Sequence, residues 1–63
     1  MPTYANETLQ TYKSQFDQDV VLIWIDRVGE DFIVRVRGER DVQFPDYQSA
    51  TDFAESRLQH FYQ

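Results

Sequence analysis

The chain has no cysteine, and only one each of histidine, methionine and tryptophan. Without cysteine no disulfide can staple the fold, and no thiolate zinc site can form. Cations are scarce: 6 Lys and Arg face 11 Asp and Glu, for a net charge of −5. Phosphate backbones repel an acidic protein, so the composition argues against nucleic acid from the start. The carboxylates are dispersed without a run of five or six, so no acidic tail is expected. Long apolar stretches are also missing. The longest is Val20-Val21-Leu22-Ile23-Trp24-Ile25, far below the roughly 20 residues that cross a bilayer. Residues 1–19 hold one lysine and no apolar core of a signal peptide, so a cytoplasmic location is expected.

What is present suits one small folded domain over residues 1–63. Aromatics make up 16% of the chain. Phe16, Trp24, Phe32, Phe44, Phe53 and Phe61 are bulky core candidates. A chain of this length buries only about 60% of its unfolded surface. It therefore leans on a dense core or on a partner.

The apolar run is the natural central strand. Val20, Val21, Ile23 and Ile25 are β-branched, stiff at χ1 and suited to a pleat. Gly29-Glu30 supplies a two-residue turn. Phe32 to Arg37 then alternates, with Phe32, Val34 and Val36 on one face and Ile33, Arg35 and Arg37 on the other. Gly38-Glu39-Arg40 is a second turn, followed by a short strand, Asp41 to Phe44. Matching apolar faces across the second hairpin places Arg37 opposite Asp41.

The first hairpin admits two registers. A two-residue turn puts Val21, Ile23 and Ile25 with Phe32, Val34 and Val36. It leaves Leu22, Trp24 and Asp26 beside Ile33, Arg35 and Arg37. A three-residue turn would bury Trp24 and set Asp26 near Val34. The first register is preferred, because it keeps the carboxylate among arginines.

Helices are expected at both ends. Ala5, Leu9, Tyr12 and Phe16 recur at helical spacing, which predicts a helix over Pro2 to Phe16, capped by Thr3 or Asn6. A second helix is expected from Tyr47 to Tyr62, with Ala50, Phe53, Ala54, Leu58 and Phe61 on its apolar side. Ser49 to Asp52 has capping-box spacing, and Asp46 is the alternative cap. The expected fold is α+β, in the order α-β-β-β-α, with both helices on the Ile23/Val34/Phe44 face.

That element order is similar to the layout of double-stranded-RNA-binding domains. The resemblance implies phosphate contacts from lysines at the start of the last helix. The corresponding stretch, Asp46-Tyr47-Gln48-Ser49-Ala50-Thr51-Asp52, has no cation and two carboxylates, so that function does not carry over.

No catalytic constellation stands out. Ser14, Ser49 and Ser56 have no plausible base, and the two glycines sit apart in turns. His60 falls near a helix C-terminus, where the dipole favours a cation, and it has no clustered ligands. A chain this short is not expected to enclose a pocket of several hundred cubic ångströms. No enzyme, metal or cofactor is expected.

One surface asks for an explanation. Leu22, Trp24 and Ile33 would lie together beside Arg35 and Arg37, on a face that two helices on the other side leave open. Apolar patches usually mark contacts, and Trp and Arg dominate interface energetics. The expectation is a small protein-interaction module, a regulator, adaptor or inhibitor. It would bind a protein partner or a second copy as a homodimer through Leu22, Trp24, Ile33, Arg35 and Arg37. The competing accounts are a core Trp24, a solvated face of cross-strand ion pairs, and nucleic-acid stacking on the arginine hairpin.

Overall fold

A computed structural model describes residues 7–62. Four strands precede one helix: β1 (Glu7–Lys13), β2 (Val21–Val28), β3 (Asp31–Val36), β4 (Val42–Phe44) and α1 (Tyr47–His60). All neighbouring strands are antiparallel, in the sheet order β1-β2-β3-β4. The class is α+β as expected, but the order is β-β-β-β-α.

The expected first helix is the correction. Its residues Pro2 to Asn6 lie outside the described residues, and Glu7–Lys13 is an edge strand paired with β2. Its pairing shifts between Thr8 and Gln10 and again between Tyr12 and Lys13. An extra residue at such a bulge changes the spacing of same-side positions from two to three. Leu9 and Tyr12, three apart, are the half-buried positions of β1. Bulged strand spacing thus imitates helical periodicity. The arrangement of two helices on one sheet face falls with it: α1 alone supplies that layer among the described residues.

The β2–β3 hairpin adopts the preferred register. Val28 pairs with Asp31, Ile25 with Val34, and Ile23 with Val36. The turn is Gly29-Glu30. Gly29 has φ of +64° and no non-glycine residue among those described has positive φ, the sign pattern of a type II′ turn.

The β3–β4 register is offset by two residues from expectation. Val34 faces Val42 and Phe32 faces Phe44. An offset of two keeps every side chain on its own face. It lengthens the connection, which is closed by Glu39 N–H donating to the Val36 carbonyl at 2.9 Å. The expected pairing of Arg37 with Asp41 is absent; Arg35 takes Asp41 instead, at 3.7 Å.

The core lies between α1 and one sheet face. Ile23, Ile25 and Val34 are fully buried, as are Ala50 and Ala54. The two alanines, one turn apart, let the helix axis come close to β2 and β3. Phe53 fills the flank against Phe44, with ring centroids 5.1 Å apart. Tyr47 meets Phe32 edge-on at 5.8 Å. Burial of each large aliphatic side chain stabilises by about 1.5–3 kcal/mol. Tyr12 packs on the rim of this core. Burial pushes its phenol pKa above the ordinary 10, and the Glu55 carboxylate and Tyr47 push the same way.

The helix starts where a side chain can satisfy its free N–H groups. Of the two expected caps, Asp46 serves: its Oδ1 accepts from Ser49 N–H at 2.7 Å. At the far end Tyr62 latches the helix to the β1–β2 connection. Its hydroxyl accepts from Gln15 N–H at 3.2 Å and donates to the Lys13 carbonyl at 3.4 Å. Phe16 lies edge-on to Tyr62 and is 81% exposed, so it is no core residue.

Candidate functional site

Strand alternation sends Ile23 and Ile25 under α1 and Trp24 and Asp26 to the opposite face. The β2–β3 register sets Arg35 directly across from Trp24 and Ile33 across from Asp26. Thr8 and Thr11 of β1 sit across from Asp26 and Trp24. No helix among the described residues lies over this face.

Asp26 is the floor of the site. It is only 6% exposed, yet it carries a carboxylate. A buried charge persists where partners replace its lost water. Thr8 Oγ1 donates to Asp26 Oδ1 at 2.8 Å, and Arg35 Nε stands 3.2 Å from Oδ2. Arg35 also reaches Asp41 Oδ2, so one guanidinium ties β2, β3 and the approach to β4 together. This network appeared in the sequence only as a preference for keeping Asp26 near arginines. Thr8 falls in the segment whose spacing predicts a helix, so the sequence does not place it beside Asp26.

Trp24 is the wall. It is half-buried, neither core nor fully presented. The Arg37 guanidinium carbon lies 5.7 Å from the centre of its ring, within cation–π range. Arg37 is held from a second side, since its Nε donates to the Val21 carbonyl at 3.0 Å. Its own N–H donates to the Leu22 carbonyl at 2.8 Å. Backbone and side chain together fix the guanidinium over the indole.

Of the five expected contact residues, Trp24, Arg35 and Arg37 come together in one constellation. Ile33 lies beside it, half-buried. Leu22 is different: at 8% exposure it counts with the buried cluster and offers little surface of its own.

Between these residues lies a hollow of about 410 Å³, lined by Thr8, Trp24, Asp26, Arg35, Val36 and Asp41. It is a depression open to solvent rather than an enclosed pocket. Its lining mixes one large aromatic with two carboxylates and one guanidinium. The carboxylates of Asp26 and Asp41 are both engaged by Arg35.

The other candidates stay apart from this face. His60 is exposed in the last turn of α1. Among the described residues no three His, Asp or Glu side chains converge in a way that could hold a metal ion. No helix among them is long and apolar enough to cross a membrane. The first turn of α1 carries no cation. With a strand where a helix was expected, the layout similarity to double-stranded-RNA-binding domains also lapses.

No protein-family model, curated protein or solved structure matches this chain.

Proposed function

We propose that this is a small, non-enzymatic, cytoplasmic protein-interaction module that acts through the open sheet face. The observation that carries the reading is the clamped Trp24. Trp24 is half-buried on the face, and Arg37 lies over its ring within cation–π range and is tied to the backbone of β2. Large aromatic and arginine side chains held in advance lose little conformational entropy on binding. The face also offers apolar surface from Ile33 beside polar groups from Arg35 and Thr11.

Nucleic acid is the less favoured ligand of the same face. Arg35 is neutralised by two carboxylates, and the chain carries −5 overall, so a phosphate polymer meets net repulsion.

The test is a pull-down with the wild-type protein and Trp24→Ala side by side. Circular dichroism establishes that the variant is folded, and sedimentation reports self-association. Loss of a specific captured protein, or of a dimer, in the folded variant supports the face. Unchanged capture and unchanged mass would sink it.

A further inference from the structure

We propose that the partner's anchor is a carboxylate. The open face takes an acidic segment of another protein, and an Asp, Glu or C-terminal carboxylate of that segment pairs with Arg37 above Trp24. This rests on the face being an interaction surface and goes on to name what it recognises.

Three observations carry it. Arg37 is a cation of the face that has no ionic partner among the described residues. Arg35 is engaged by Asp26 and Asp41, whereas the terminal nitrogens of Arg37 make no hydrogen bond or ion pair with any described residue. Arg37 is also positioned in advance. Its Nε is fixed on the Val21 carbonyl and its guanidinium carbon lies over the Trp24 ring. The remaining N–H groups form the fork that matches a carboxylate with two parallel hydrogen bonds. Finally, the surroundings limit how much negative charge the ligand can bring. A chain of net charge −5, with Asp26 and Asp41 in the adjoining hollow, repels a polyanion more strongly than one or two placed carboxylates. An acidic protein segment fits that restriction better than a phosphate polymer does.

Trp24 is the only tryptophan, so its fluorescence reports occupancy of the face without a label. The probe is a synthetic leucine-rich peptide carrying a single glutamate, titrated to millimolar concentration against the wild type, Arg37→Gln and Arg37→Lys. Oligothymidylate is the phosphate control. The peptide is expected to change Trp24 emission in the wild type, and Arg37→Gln should weaken its binding by about tenfold or more, the usual loss for a hydrogen bond to a charged group. Arg37→Lys should recover only part, because an ammonium keeps the charge and loses the fork. No response in the wild type, or an equal response in Arg37→Gln, overturns the proposal. Arg37-dependent binding of oligothymidylate in place of the peptide reassigns the fork to phosphate and overturns it as well. So does a wild-type dimer in sedimentation that Arg37→Gln dissociates, since the occupant is then a second copy. If Trp24→Ala abolishes capture in the pull-down and Arg37→Gln does not, the face stands and the carboxylate anchor falls.

Discussion

Asp26 and Arg35 form an ion pair of unequal members. The Asp26 side chain is 8% exposed and that of Arg35 is 44% exposed, with 3.2 Å between Oδ2 and Nε. Removing the exposed member strands the buried one, whereas removing the buried member lets the other turn to solvent. Arg35→Ala should therefore cost more stability than Asp26→Ala. An uncompensated buried charge costs about 2 kcal/mol or more, and Thr8 offsets only part of it. Urea denaturation of the two variants checks the order; a larger loss for Asp26→Ala would contradict it.

The two alanines of α1 set how close the helix lies to the sheet. Ala54 has no exposed surface, so a larger side chain there has nowhere to go. Ala54→Leu should destabilise by about 1–3 kcal/mol through overpacking. Val34→Ala, beneath the helix and equally buried, should cost about 2 kcal/mol by leaving a cavity. Thermal denaturation followed by circular dichroism measures both.

Gly38 has φ of +83°, and a Cβ there would meet nothing within 4 Å. The penalty for Gly38→Ala is thus conformational only, about 1 kcal/mol. Asp46→Ala removes the acceptor for Ser49 N–H and should cost a similar amount, about 1 kcal/mol. The Asp46 carboxylate bonds Ser49 and a Cβ at Gly38 would meet nothing within 4 Å, so the double variant should lose the sum. Chemical denaturation of the three proteins checks the additivity.

Tyr12 makes stability fall on the alkaline side. Its pKa is raised above the ordinary 10 by burial, with Glu55 and Tyr47 adding to the effect. The folded state then holds its proton at a pH where the unfolded state releases it. The contribution is complete below about pH 10 and is lost as pH rises through the folded value. Glu55→Gln removes one cause. It should lower the Tyr12 pKa and reduce that alkaline loss, as read by phenolate absorbance and by denaturation above pH 10. An unchanged titration would show that Glu55 does not act on Tyr12.

The legible part of this fold is where turn chemistry and charge agree with hydrophobic pattern. Gly29-Glu30 and the affinity of Asp26 for arginine choose the β2–β3 register, and the structure has it. The same alternation puts Trp24, Arg35 and Arg37 on one face. The last helix is legible from its alanine and phenylalanine spacing. What was not legible turns on single extra residues. In β1 the extra residue between Thr8 and Gln10 replaces a period of two with a spacing of three from Leu9 to Tyr12, and the strand reads as a helix. Between β3 and β4 no residue type forbids a longer connection, and Asp41 is a plausible partner for either Arg37 or Arg35. Thr8 was lost to the site for the first of these reasons.

The interrupted pairing of β1 with β2 also decides what the molecule can share. A regular edge is a template on which another chain can lay a strand, and repetition of that step builds fibres. Here one border of the sheet has its ladder interrupted twice, and the other border, β4, is three residues long. Neither gives a long, even row of amides to copy. Growth by strand addition is therefore discouraged at both borders of the sheet, whose broad sides carry no row of free amides.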